Sequence, residues 1–585
     1  MQMTDEKMTN QKMPRRLLWL ILLIPILLTA CANGEEAEMR PTLSPLPGAS
    51  TTQPTSTPLP EGATTGARVR ARGKLRVGVR YDLRPFGYVT EEGGIAGLGV
   101  DMGRELARRW LGDAGAVEFR QVRSDTAVEH IQAGDVDLVI TAFIHTQERE
   151  SQADFSLPYF IDGHALLVRA ADAPVLGAVE SLQGRPVGVV AWTDAAEALR
   201  AAVPFTLTFQ TYERFDGAVA ALERGEIDAV ADLRRRLFWG RQMFPETAIT
   251  AQYTHASVAL AFPQNDPFFA DLVNLTFQEM LDDGTYAELY GRWFPSEYPP
   301  AIERWPGDET PRLEDAPLFT ETPDTIEAIR SRRRLAVAFV RDRSPFSYVD
   351  ASASPAGYEV NLVQRLAGRW LGDSTALDFI TTTVEAGQEM LRTGQADLLI
   401  GGVVHDRAAE MRVDFSLTTY WAGEGLMVWA GTPITDLRDL DRQPVAVLEE
   451  SRDILETAAQ EAGVRPTIMP QPTLAGALSL LEGGYVMAIV GDRADMLGVA
   501  YATEGLGVLP LRLIHVPLAL ALPPGDSAFR DLVNLTLLAM KADGELDALY
   551  ATWFDDAPPT LESWPGIPYR PLRLDLSASP ESDGG

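Results

Sequence analysis

The sequence predicts an α/β protein built as two tandem copies of one two-lobed module. Three observations carry this reading. First, Asp271-Leu-Val-Asn-Leu-Thr276 returns unchanged from Asp531 to Thr536, Arg109-Trp-Leu-Gly-Asp113 returns from Arg369, and Asp154-Phe-Ser-Leu157 returns from Asp414, each 260 residues on. A period that long excludes a solenoid, whose units run roughly 20–50 residues. It also leaves each copy enough chain for its own core. Second, strand and helix patterns alternate along each copy, the mark of a largely parallel sheet. Third, a βα series starts twice within one copy, so two lobes are expected with a cleft between their strand ends.

The elements of the first copy follow in order. Leu75–Val79 alternates and reads as a strand, and Pro85 closes the next loop. Residues 100–111 place Leu106, Ala107, Trp110 and Leu111 on one helical face. Residues 117–122 form a second strand, and residues 127–133 a helix that Gly134 ends as a C-cap. Residues 136–140 are a third, buried strand. Pro186–Val190 opens the second series, which residues 222–230 continue. An amphipathic helix over 268–280 and a short one ending at Trp293 close the copy.

The first thirty residues read as an export signal. Lys12, Arg15 and Arg16 precede the apolar run 17–28, too short to span a bilayer core of ~30 Å. The run ends Leu28-Thr-Ala-Cys31, which resembles a bacterial lipobox and implies cleavage before Cys31 and acylation there. Cys31 is the sole cysteine of 585 residues, so no disulfide forms within one chain. Cleavage would leave a net charge of about −33, which excludes a basic nucleic-acid footprint. Anionic lipid would repel such a chain, so the acyl group has to hold it at the membrane. Residues 31–72, rich in Pro, Thr and Ser, are expected to be a tether. The modules are expected at 73–297 and 328–556, with a Pro-rich linker at 298–327 and a tail at 557–585.

Within copy 1, Gly134-Asp-Val-Asp137 is followed by Thr146-Gln-Glu-Arg149 and Asp154-Phe-Ser-Leu-Pro-Tyr159. This ordered set resembles the extracellular solute-binding proteins of the polar amino-acid type, the receptors of ABC importers. The resemblance implies a periplasmic-binding-protein-like fold, with a hinge and an interlobe cleft in each module. It implies that Arg149 grips the α-carboxylate of an amino-acid-like ligand, for which a planar guanidinium fork is suited. Thr146 would cap the helix that carries it. The acid that holds the ligand ammonium would be Asp232 in copy 1 and Asp492 in copy 2. Backbone N–H groups at Trp192-Thr193-Asp194, and at Glu450-Ser451-Arg452, would meet the carboxylate. Bland alternatives stand beside these: Arg149 as a surface ion-pair arginine, Asp232 paired with Arg234, Arg235 or Arg236, and Trp192 as core.

The pattern also departs from the family. Ile144 and Val404 replace a hydroxyl residue, and Leu83 and Arg343 replace the aromatic that faces the ligand, with Tyr81 or Phe143 as substitutes in copy 1. In copy 2 the motif positions carry Asp406 and Ala409. Losing that arginine removes a charge-assisted bond of roughly 1.5–3 kcal/mol, about ten- to a hundredfold in affinity. Copy 2 either grips another anion through Asp492, Ser451, Arg407 and Arg343 or serves as a scaffold. His145 with His405, and His255 with His515, recur without metal-ligand spacing, so structural imidazoles rather than a metal site are expected. No cofactor and no catalytic group is expected. The expected partners are a small polar ligand, a separately encoded ABC permease and ATPase, and the membrane at its extracytoplasmic face. Sensing in trans, or dehydratase chemistry on the same fold with Glu148, Glu449 or Glu450 as acid, are the alternatives.

Overall fold

The computed structural model describes residues 60–559, apart from 61, 124, 192, 194, 296–298, 321–322 and 555. The expected signal segment, most of the tether with Cys31, and residues 560–585 lie outside the described residues.

Each module has two lobes, each on its own five-stranded sheet. In module 1 the first sheet runs Val117–Gln121, Leu75–Val79, Leu138–Val139, Ala256–Phe262, Asp154–Asp162 across its width. The second runs Thr208–Tyr212, Pro186–Val190, Ala229–Leu233, His164–Arg169, Thr247–Thr250. The strands tied by helical crossovers pair in parallel, and the returning strands pair antiparallel. Module 2 repeats both orders, with Tyr420–Ala422 and Val516–Leu518 forming a separate antiparallel pair.

The chain passes from the first lobe to the second at Gly163 and returns after Thr250. Gly163 has φ 148°, and a Cβ there would collide with the Thr254 carbonyl. Gly423 repeats this against Ile514. Only glycine lets the two crossing strands lie this close. The first-lobe core gathers Val77, Phe86, Leu138, Phe262, Phe269 and Tyr286. This is the apolar face presented by residues 98–111 and 267–282 once they coil.

Two boundaries differ from expectation. Thr65–Arg72 is a helix, capped by Thr64, with Val69 fully buried in module 1. Its mate Thr325–Arg332 packs on module 2. The backbone N–H of Thr65 donates to Asp266 at 2.6 Å, as that of Thr325 does to Asp526 at 2.9 Å. Each module therefore begins earlier than 73 and 328. The short apolar stripe in Thr-Gly-Ala-Arg-Val-Arg-Ala-Arg is masked in the sequence by its three arginines. Nor is 298–327 a free spacer: Trp305, Leu313 and Ala316 are buried.

The modules dock about an approximate two-fold axis. Glu150 of module 1 hydrogen-bonds Asp531 of module 2, while their mates Glu410 and Asp271 sit within each other's field. Ser527 and Asn265 exchange two bonds of 3.0 and 3.1 Å, where the mates Gly525 and Pro267 pack closely. At the centre, Arg530 bridges Asp154 at 3.0 Å and Asp414 at 3.3 Å, themselves two-fold mates. Its own mate is Ala270.

Candidate ligand site

Arg149 stands on a one-turn helix, Gln147–Glu150, that leaves the first-lobe sheet of module 1. Thr146 caps this helix, its Oγ1 accepting from the Arg149 N–H at 3.4 Å. An N-cap threonine in an extended conformation fixes where the chain turns, and so where Arg149 projects. The guanidinium lies 4.2 Å above the Phe143 ring and donates to the Ile144 carbonyl at 2.6 Å. It is half-buried, in the field of its neighbour Glu148 but in no ion pair among the described residues. Burial holds its pKa below the ordinary arginine value, helped by the nearby Arg235 charge. Phe143 is itself fully buried and stacked on Phe155, so it supports Arg149 from below rather than offering a face to solvent. Tyr81 packs at the edge of the core and donates to the Phe119 carbonyl at 3.3 Å. Thr193 donates to the Val190 carbonyl at 2.8 Å, which holds the turn after strand Pro186–Val190. Trp192 lies outside the described residues.

Asp232 is buried, but its carboxylate is committed. It accepts from Arg236 at 2.8 Å and from the Leu233 N–H at 2.7 Å. Burial pushes its pKa up, against the Arg236 charge. Sheet register shows why it does not stand where Asp492 stands. Asp492 faces Glu424 and begins the helix Arg493–Ala502, whereas the residue facing His164 and beginning Arg234–Met243 is Leu233. The two copies slip by one residue in the second lobe, so Asp232 matches Gly491. The expectation that Asp232 and Asp492 are equivalent acids is thereby corrected.

Module 2 is built differently. Asp492 caps its helix through the Asp495 N–H at 2.8 Å, and burial raises its pKa. Ser451 is fully buried beside Glu424, whose pKa is also raised by burial. Arg343, from the first lobe, reaches Asp495 of the second at 3.2 Å and lines a cavity of about 300 Å³ with Ser344, Phe346 and Ala494. Arg407 does not face this cleft. It is buried in an ion pair with Asp282 of module 1, and its backbone N–H donates to the Pro306 carbonyl at 3.0 Å. Its assignment to the module 2 site is corrected: with alanine at 409, the one-turn helix presents only Arg407, and that points to the interface.

Two further arginines make contacts between the lobes or at their crossing. Arg235 of the second lobe pairs with the fully buried Asp162 at the hinge. Arg84 of the first lobe lies 4.0 Å over Tyr88 and 5.5 Å from Trp239 of the second. Neither belongs to a local motif; both are brought in by the crossover. Of the recurring histidines, His145 and His405 are buried against phenylalanine rings. His145 bonds Glu150 and stacks on Phe155 at 4.2 Å, and burial lowers its pKa to about 3. Among the described residues no three His, Cys, Asp or Glu side chains gather as metal ligands.

Each module is thus a two-lobed α/β unit, and module 1 carries a half-buried arginine, Arg149, on a capped turn of its first lobe. The chain belongs to the bacterial extracellular solute-binding proteins, family 3, whose profile matches twice, over 75–296 and 335–556. It is 30% identical to the glutamine-binding protein of Geobacillus stearothermophilus over 224 residues, 38% of this chain and 82% of that one. It is 27% identical to the L-cystine-binding protein TcyJ of Escherichia coli (strain K12), over 39% of this chain and 85% of that one. Among solved structures, an ancestral cationic amino acid solute-binding protein is 28% identical, covering 40% of this chain and 100% of its own, with a TM-score of 0.36.

Proposed function

We propose that this chain is a lipid-anchored extracytoplasmic receptor that captures an amino acid in module 1 and presents it to an ABC permease. Arg149 carries this reading: it is a half-buried guanidinium held by Phe143 and Ile144, in no ion pair with a carboxylate among the described residues. A half-buried cation held this way favours a ligand that brings its own carboxylate. Names of relatives that bind glutamine and cystine support an amino acid as the ligand. Module 2 is the docking scaffold: Ala409 stands at the arginine position, Arg407 is spent at the module interface, and Arg343 and Asp495 bridge the lobes. The lipobox at Cys31 supports the anchor.

The test is calorimetric titration of the chain from residue 32 onward with the common amino acids. One ligand per chain is expected, and Arg149→Ala should weaken it about ten- to a hundredfold. Two ligands per chain, or an Arg149→Ala variant that binds as tightly, would overturn the reading. Labelling of cells with a palmitate analogue should mark the wild type and not Cys31→Ser.

A further inference from the structure

The two sides of the module axis are not closed in the same way. On one side Glu150 hydrogen-bonds Asp531, and the Gln264 side chain donates to the Glu150 backbone carbonyl at 2.9 Å. Two carboxyls bonded this way share one proton and satisfy each other. On the other side stand their mates, Glu410 of module 2 and Asp271 of module 1. Asp271 heads the six-residue run that the chain repeats unchanged, and it is only 7% exposed. Its carboxyl has no hydrogen-bond partner among the described residues, and the charges that act on it are those of Glu410, Asp414, Asp266 and Arg530. Glu410 contacts His405 at 2.7 Å.

This second side opens onto a cavity of about 450 Å³ between the modules, lined by Asp271 and Glu410 at its buried end. The sequence explains the difference. Where the closed side has Gln264, Ala528 and Ser151, the open side has Pro524, Phe268 and Met411. Proline has no donor to tie over Glu410 as Gln264 ties over Glu150, and the walls become apolar. The rim carries Glu385, Glu389, Arg392 and Arg412, all exposed. Its arginines have partners: Arg392 pairs with Glu389 at 2.7 Å, and Arg412 donates to Gln388 at 3.1 Å. Arg530, the cation in the field of Asp271, bridges Asp154 and Asp414. A buried carboxylate without its own counter-charge is costly, and a ligand that brings a cation offsets the cost. An anion would meet the same carboxylates as like charges.

We propose that this cavity binds a small organic amine, with its ammonium between the Asp271 and Glu410 carboxylates and its apolar body against Phe268, Pro524 and Met411. An ammonium has three donors, enough for both carboxylates at once. The ligand thus joins one acid of each module and holds the docked pair together from the open side. The site is separate from Arg149, and it excludes ligands that carry a carboxylate beside the amine.

Calorimetric titration of the chain from residue 32 onward with butylamine tests this, beside butyrate and butanol, which share its apolar body. One butylamine per chain is expected, and neither butyrate nor butanol should bind. Asp271→Asn keeps the shape and removes the charge, and should weaken butylamine about tenfold or more. Met411→Trp narrows the mouth from an exposed position, outside the core, and should abolish binding. Asp531→Asn, the same change on the closed side, should alter affinity less than about threefold. Circular dichroism of each variant establishes that it has folded. No bound butylamine, butyrate or butanol bound as tightly, or an affinity unchanged in both Asp271→Asn and Met411→Trp would overturn the proposal. An equal loss in Asp531→Asn would overturn the placement in this cavity.

Discussion

Replacing Arg530 by methionine removes the cation that bridges Asp154 and Asp414 while retaining much of its apolar stem. The two carboxylates then face each other across the module axis without that counter-charge. Breaking a buried ion pair by deleting one partner costs about 3–5 kcal/mol. The cost should depend on pH, because burial pushes the Asp414 carboxyl up to about 7. A carboxyl raised by folding contributes stability while protonated, fully present below its ordinary value near 4 and lost as pH rises through about 7. At about pH 5, Asp414 is protonated in wild type and variant alike, and only the charged bond to Asp154 is at stake, about 1.5–3 kcal/mol. At about pH 8.5 Asp414 is ionised in the wild type and the full 3–5 kcal/mol is expected. Urea unfolding of wild type and Arg530→Met, followed by circular dichroism at both pH values, reads the difference. Equal losses at the two pH values, or a loss below about 1 kcal/mol at both, would refute the bridging role.

Other substitutions separate the interface from the cleft. Arg407→Ala should cost about 1–2 kcal/mol of stability, since its Asp282 partner is 44% exposed and screened, and should leave ligand affinity unchanged; a tenfold loss in titration would return Arg407 to a binding site. Asp232→Asn should lower the unfolding free energy by about 1 kcal/mol by weakening the bond to Arg236, with affinity changed less than about threefold; a larger loss would restore its ammonium-binding role. Glu150 is raised to about 8 by burial, so wild-type stability should fall as pH rises from about 5 to about 9. Glu150→Gln should flatten that slope in thermal melts, and an unaltered slope would place the titration elsewhere.

The duplicated lobes, their βα order and the closing helices were legible because amphipathic periodicity and a repeat at constant spacing are local signals. Arg149 and its cap were legible for the same reason, since Thr146 and Arg149 lie on one turn. Asp232 was legible only in part: its run Asp228–Asp232 is one residue shorter than the run ending at Asp492, and strand pairing shows that the slip leaves Leu233 at the helix start. Arg407 was misplaced for another reason. Its partner Asp282 is 125 residues away on the other module, and no periodicity within module 2 points to it. The linker was read from its prolines as a spacer, yet Trp305 within it finds a socket that exists only once module 2 has folded.

The single arginine at the axis has a consequence for how such a receptor can be assembled. Two free copies of module 1 would meet with Ala270 at both central positions and bring the carboxylates together without a bridging cation. Two free copies of module 2 would bring two arginines, one from each copy, to two carboxylates. The mixed pair has one arginine shared by two carboxylates, and joining the halves in one polypeptide guarantees that pair. The link holds the partners at an effective concentration on the order of millimolar, whatever the expression level. One half is then released from selection for self-association and for ligand capture, and its pocket is free to drift while the pair as a whole stays intact.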